Sequence, residues 1–335
     1  MSKTRIPADY KPLLSLAETQ KAIALLKSTF TANLESALNL TRVSAPLFVD
    51  PSTGLNDDLN GVERPVSFDI RETGEQAQIV HSLAKWKRWA LGRYGFQPGE
   101  GLWTDMNAVR RDEEMDNLHS IYVDQWDWEA ILPEGRRDVE YFKETVRKIV
   151  GAVCDTQEKL QEKFPKLPAF LSRDVSFITT QELEDLYPDK TPKEREDLYV
   201  KEHKTTCVMQ IGGKLASGIK HDGRAPDYDD WSLNGDILFW NDVLGCAFEV
   251  SSMGIRVDAA AMDRQLTEAG CEERRKLPFH QMVLSGKLPL TIGGGIGQSR
   301  LCMLLLKKAH IGEVQVSLWD PDTKSACESA GIPLL

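Results

Sequence analysis

The stretch TIGGGIGQSRLCMLLLK, Thr291–Lys307, sets four glycines within residues 293–297, ahead of Arg300 and an apolar run. Glycines let a backbone approach a flat or anionic group closely. An arginine in the first turn of the helix that follows can stack on an aromatic plane or meet a phosphate. Two familiar glycine fingerprints do not fit. In G-x-G-x-x-G, Gly293 and Gly295 supply the first two glycines, but the third position falls on Gln298. No acidic residue stands at the end of a following strand about 20 residues on. The string G-x-x-x-x-G-K-[ST] occurs nowhere. Taken alone, the stretch reads either as a ligand-binding glycine loop or as a turn feeding a core helix with a solvated arginine. In both readings the last long helix starts near Gly297.

Outward from this stretch, the pattern mixes hairpins with helices. Ile23, Leu26, Phe30, Leu34 and Leu38 recur at helical spacing within residues 17–38. VSAPLFV follows, β-branched and apolar, with Pro46 suited to a strand edge. QIVHSLAKWKRWAL predicts a short strand running into a helix, and LWTDMNAVRRDEEMDNLHSIYVDQWDWE predicts two strands around an acidic loop. A long helix is expected over residues 136–164, with Val139, Phe142, Val146, Ile149 and Val153 on one stripe. Thr191-Pro192-Lys193-Glu194 has the form of an N-cap, a first-turn proline and a capping-box glutamate. CVMQIGGK predicts a strand, and DILFWNDVLGCAFEVSSM a hairpin turning near Asn241-Asp242. Regular βαβ alternation is missing, so the expected class is α+β with an antiparallel sheet flanked by helices. No Pro/Gly/Ser-rich break marks a boundary, and one domain is expected over residues 1–335.

The bulk numbers narrow the function. The chain has 335 residues and a formal net charge of −10. That charge argues against nucleic-acid binding, which needs a basic face to displace counterions, yet leaves room for a local basic pocket. The six cysteines include no CxxC pair and fit no zinc spacing, which points to reduced thiols and a cytoplasmic location. No window approaches the roughly 18 apolar residues of a membrane span.

GGGIGQSRLCMLLL resembles the third signature of class II aminoacyl-tRNA synthetases, in which an arginine lies against the adenine of ATP. The N-terminal helix with VSAPLF resembles the first signature, a dimer-forming helix and strand. VRRDEEMDNLHSIYVDQWDWE resembles the second. HSLAKWKR, VDQWDWE, RAPDYDDW, LNGDI, FEVSSMGIRVD and GGGIGQSRL in that order further resemble the ammonia-dependent asparagine synthetases, the aspartate–ammonia ligase family. The resemblance runs from about Gln20 to Leu318. One departure stands out: DDW passes into LNGDI through Ser232 alone, where a longer loop is expected in bacterial members.

The resemblance implies a reaction. A carboxylate is a poor electrophile, so ATP first adenylates the β-carboxylate of L-aspartate, and ammonia then displaces AMP. Arg110 is implied for the α-phosphate and Arg300 for the adenine or polyphosphate end, with His119, Ser120, Ser251 and Gly295 beside the nucleotide. Asp236 and Glu249, on the two arms of the hairpin, are implied ligands of Mg²⁺, which favours one or two carboxylates plus phosphate oxygens. Ser82, Lys87, Gln125, Asp127, Ser252 and Arg256 are implied for aspartate. Gln125 and Asp127, two apart on a strand, share a face. Asp57, Asp127 and Asp230 are the acids that can hold the α-amino group or take a proton from ammonium, and the choice among them stays open. A homodimer is expected from the first signature.

Three other readings fit the sequence less well. A tRNA synthetase of the aspartate type carries an N-terminal anticodon domain, for which this sequence leaves no room. An amidotransferase-type asparagine synthetase uses an N-terminal cysteine, whereas residue 2 is Ser2 and the first cysteine is Cys154. An inactive amino-acid or AMP-binding paralogue is expected to lose the arginines or acids, and all are present.

Overall fold

The computed structural model describes residues 3–57 and 63–335. The chain begins with α1 (Leu16–Leu38), β1 (Leu40–Arg42), β2 (Phe48–Val49), β3 (Ser67–Asp69), β4 (Gln76–Ile79) and α2 (Ala84–Tyr94). Then come β5 (Gly101–Val109), β6 (Tyr122–Ile131), α3 (Val139–Lys163), β7 (Ser176–Thr179), α4 (Thr180–Leu186), α5 (Pro192–His203) and β8 (Thr205–Met209). The last third holds β9 (Asp229–Asn241), β10 (Cys246–Arg256), α6 (Ala259–Glu268), α7 (Pro278–Leu284), β11 (Thr291–Gly297), α8 (Gln298–Leu305) and α9 (Pro321–Ser329).

Eight strands form one sheet in the order β1-β5-β6-β11-β10-β9-β8-β7, and β2-β4-β3 form a small second sheet. The central pairings from β5 to β8 are all antiparallel. Only the edge pairs β1–β5 and β7–β8 are parallel. The α+β expectation therefore holds. Among the described residues, no helix is long and apolar enough to cross a membrane.

One face of the sheet packs under helices. α1 starts at a Ser15–Glu18 capping box and buries Ala22, Leu26, Phe30 and Leu34 at four-residue spacing. Ile23 and Leu38 are only half-buried. α3 packs beside α1 and contributes Phe142, Val146, Ile149 and Val153 to the same core. β6 supplies Trp126 and Trp128 from below, and Phe30 meets Trp126 at a ring-centroid distance of 4.6 Å. Strand alternation then turns Gln125, Asp127 and Glu129 to the opposite face.

Several local expectations change. The glycine run is not a loop but strand β11, held between β6 and β10. The helix after it has 8 residues rather than being long. Residues 43–47 of VSAPLFV are not strand, and β8 stops at Met209, after which Gln210 takes φ 63°. Trp231 and Leu233 lie in one continuous strand, so no loop divides DDW from LNGDI. The capping box at Thr191 and the β9–β10 hairpin are as expected.

Candidate functional site

The face opposite α1 and α3 carries a cavity of ≈ 390 Å³, within the range of small-molecule sites. Its floor is β6, β11 and β10. Its walls are the start of α2, the loop between β5 and β6, and residues 222–229. Of the residues singled out from sequence, Asp57, Ser82, Lys87, Arg110, His119, Ser120, Gln125, Asp127, Glu249, Ser252, Arg256, Gly295 and Arg300 line it.

The glycines of β11 leave room for side chains of the site itself. Gly293 pairs with Glu129 on one side and with Gly254 on the other. Over it, Arg256 of β10 reaches Glu129 of β6, with Nε donating at 3.0 Å and Nη2 at 2.7 Å. A Cβ on Gly293 would collide with Glu129 Oε2 and stand 2.6 Å from Arg256 Nη2. A Cβ on Gly295 would strike the Gln125 amide, with Cδ at 2.8 Å. The bare strand thus lets the site's own side chains lie flat across it.

This floor is a buried charge cluster. Arg256 Nη1 also donates to Asp229, and Thr291 Oγ1 donates to Glu129 at 2.7 Å. Burial would raise the Glu129 carboxyl, but Arg256 and Lys87 overcome it and hold Glu129 below the ordinary value. Lys87 is fully buried, and its ammonium donates to Asp127, to the Trp128 carbonyl at 2.8 Å and to the Gly294 carbonyl at 3.0 Å. An ammonium has three donors, so Lys87 is saturated. It fixes Asp127 and ties β6 to β11. Burial also pushes its pKa down, against the pull of Asp127 and Glu129. Asp127 Oδ2 is buried and makes no hydrogen bond among the described residues.

At the other end stand Arg110 and Arg300. Among the described residues, Arg110 has one ion pair, with Glu113 at 4.0 Å. Arg300 lays its stem over Gly297 and donates to the Glu249 carbonyl at 3.2 Å, with the Glu249 carboxylate at 3.4 Å. His119 is oriented by Asp116 at 2.9 Å, and Ser120 by Ser317 at 2.7 Å. Residues 249 and 252 would face opposite ways on a regular strand. The β9–β10 register slips between Glu249 and Ser251, and this bulge turns Glu249 into the cavity beside Ser252.

Three expected residues do not reach the cavity wall. Ser251 is buried off it, with Oγ unbonded among the described residues. Asp236 lies behind Arg224, whose Nη2 donates to it at 2.6 Å. Burial, and then Glu249, push the Asp236 carboxyl up to about 7 against the pull of Arg224. Asp230 faces away, taking Arg137 at 2.6 Å and the Ser232 hydroxyl at 2.7 Å. Its neighbour Asp229 takes the place expected of Asp230, because adjacent strand residues point to opposite faces.

The structure also adds residues the sequence did not single out. Glu129 continues the Gln125–Asp127 alternation by one more step, so that signal was available. Arg224 lines the cavity and donates to Ser252. Gln315 comes from a distant segment and donates to Asp124 at 3.3 Å and Ser299 at 3.0 Å, with no local signal to mark it.

The family model described as aspartate-ammonia ligase matches residues 17–331. An aspartate–ammonia ligase of Clostridium perfringens is 61% identical over 336 residues, covering 100% of both chains. One of Lactobacillus johnsonii is 56% identical over 332 residues, covering 98% of this chain and 99% of that one. Among solved structures, asparaginyl-tRNA synthetase of Pyrococcus horikoshii, complexed with asparaginyl-adenylate, superposes with a TM-score of 0.66 at 16% identity. The match covers 96% of this chain and 77% of that one. Aspartyl-tRNA synthetase of Entamoeba histolytica gives 0.61 at 15% identity, covering 91% and 59%. These structural likenesses establish the class II synthetase fold. With the family model spanning nearly the whole sequence and relatives near 60% identity end to end, the chain belongs to the aspartate–ammonia ligase family.

Proposed function

We propose that the protein makes L-asparagine from L-aspartate and ammonia, using ATP and passing through β-aspartyl-AMP. The observation that carries this reading is the cavity itself. It gathers Arg110, Arg224, Arg256 and Arg300 around acids that include Asp57, Asp127, Asp229 and Glu249. Such a site can hold two anions and one ammonium group without leaving a buried charge unpaired.

In the first step the aspartate β-carboxylate oxygen attacks the α-phosphorus, and the bond to pyrophosphate breaks. Arg110 offers its guanidinium to the phosphate charge that builds there, and each charge-assisted bond is worth roughly 1.5–3 kcal/mol. Arg300 meets the nucleotide from the opposite wall. Arg256, fixed by Glu129 and Asp229, presents its remaining N–H groups to the amino acid. In the second step ammonia attacks the acyl carbon and AMP leaves. Of the three acids left open by the sequence, Asp57 and Asp127 line the cavity, and these are the ones that can take a proton from ammonium.

Glu249 and Asp236 suit Mg²⁺ in one respect. Burial first, and then the nearby Glu249 charge, push the Asp236 carboxyl up to about 7 against the pull of Arg224, and a divalent cation would offset the charge of the two acids. Bound there with ATP, Mg²⁺ would neutralise phosphate charge. We also propose a homodimer, formed through α1 and the segment after it, whose sedimentation would give twice the chain mass. All six cysteines are free thiols, which supports a reducing compartment such as the cytoplasm.

The test is product formation. Purified protein with aspartate, ATP, Mg²⁺ and ammonium is expected to yield asparagine, AMP and pyrophosphate in equal amounts. ADP and phosphate, or asparagine formed only with glutamine, would refute the reading. So would aminoacylation of tRNA by the same preparation.

A further inference from the structure

The loop between β5 and β6 sends Arg110, Glu113, Leu118, His119 and Ser120 to the cavity. Behind it lies the start of the chain. The joint between them is Asn117, which is 6% exposed. Its Oδ1 accepts from the Arg5 N–H at 2.7 Å. Its Nδ2 donates to the Arg5 carbonyl at 2.8 Å and to the Ala309 carbonyl at 2.7 Å. Its own carbonyl accepts from the Ile311 N–H at 2.8 Å. One amide side chain thus joins three separate segments and pairs with Arg5 in both directions, as a strand neighbour would. Further contacts hold the arm in place. Lys3 pairs with Glu114, Thr4 Oγ1 meets Thr323 Oγ1 at 3.0 Å, and Tyr10 donates to Glu313 at 3.0 and 3.1 Å. Directly before Asn117, the Asp116 carboxylate accepts from the N–H groups of Leu118 and His119 at 2.7 and 2.8 Å and holds the His119 ring at 2.9 Å.

We propose that residues 3–10 are a strap which, through Asn117, holds the 110–121 loop in the shape that meets ATP. Asn117 is then a positioning residue for the nucleotide, although it does not line the cavity. The exposed Lys3–Glu114 pair adds little. The buried Asn117 bonds dominate, because a buried amide left without partners is costly. The amino-acid end is built on strands, from Gln125, Asp127 and Arg256, and among the described residues none of these three bonds the strap. Loss of the strap should therefore weaken ATP use selectively.

This proposal rests on reading the cavity as an ATP site, so its test needs one arm that does not. The full chain is compared with a variant lacking its first nine residues and with Asn117→Ala. The truncation keeps Tyr10 and the buried Leu14, so it spares the core if Asn117→Ala fails to fold. In steady-state AMP formation, the KM for ATP is expected to rise about fivefold or more, the factor that about 1 kcal/mol gives, while the KM for aspartate stays within about twofold. Without any substrate, trypsin is expected to cut faster after Arg110 and Arg111 in both variants. Unchanged cleavage would overturn the strap. Faster cleavage with both KM values rising equally would overturn its selectivity for the nucleotide. If the full chain forms no AMP, the ATP reading fails, and the cleavage rates still decide whether the strap holds the loop.

Discussion

A single methyl group at Gly293 probes the floor of the cavity. It would enter the space where Arg256 crosses β11 to reach Glu129. Adding bulk to a filled space costs about 1–3 kcal/mol, more than the roughly 0.5–1 kcal/mol that alanine gains over glycine in a strand. Gly293→Ala is therefore expected to lower the urea midpoint and cut the rate of asparagine formation. Gly213→Ala is the control. Nothing lies within 4 Å of a Cβ there, and its φ is not in the left-handed region, so its stability should stay within about 0.5 kcal/mol of the parent. Equal midpoints for both variants would contradict the crossing. At this scale the sequence was informative about residue type and weaker about direction. It named Asp127, Gln125, Arg256 and Arg300, which all face the cavity. It chose Asp230 over Asp229, because two adjacent acids look alike until the face of the strand is known.

At the scale of the element, the short turn Ile311–Glu313 behind the loop depends on one histidine. His310 caps it, with Nδ1 accepting from the Gly312 N–H at 3.0 Å, and its ring lies edge-on to Trp319 at 4.7 Å. Burial pushes its pKa down to about 4, although Asp116 and Asp320 pull the other way. The ordinary value is about 6.5. Between about 6.5 and 4 the unfolded chain therefore takes up the proton first. Its contribution is fully present above about pH 6.5 and is lost as pH falls toward 4. Protonation at Nδ1 would also remove the acceptor that caps the turn. His310→Asn keeps a capping acceptor without the titration. Urea midpoints at pH 7 and pH 5 should fall further for the parent than for the variant, and parallel losses would rule His310 out as the cause. The glycine run teaches a related lesson about elements. TIGGGIG lacks the β-branched density of a strand, so local propensity favours a loop. It becomes β11 because β6 and β10 pair with it on both sides, a long-range effect that no window of sequence contains.

Across the whole molecule, one buried carboxylate ties distant segments together. Asp227, just before β9, bonds Lys85 of α2 at 3.2 Å, Arg274 at 3.1 Å and His280 of α7 at 3.0 Å. Burial raises its pKa, but these three partners hold it far below the ordinary value. Asp227→Asn would leave Lys85 and Arg274 without that counterion, a loss of about 3–5 kcal/mol. Arg173→Ala, which breaks exposed pairs with Asp155 and Glu158, should cost under about 1 kcal/mol. Chemical unfolding of the two variants measures the contrast, and similar losses would mean that the buried cluster holds nothing special. None of this was legible beforehand. Asp227 appeared in DYDD as one acid of a solvated-looking run, and its partners are 142, 47 and 53 residues away in sequence.

The sequence by itself determined the kind of protein: an α+β chain, a net charge of −10, and ordered motifs that mark its family. Those properties reside in composition and in strings a few residues long. Only the tertiary structure decided that the glycines of β11 make way for Glu129, Arg256 and Gln125, that Lys87 bonds Asp127 and two backbone carbonyls, and that Asn117 bonds the Arg5 backbone. Each of these depends on which segments meet across the sheet and which way a strand faces. A register shift of one residue reverses that facing, and only the folded chain fixes the register.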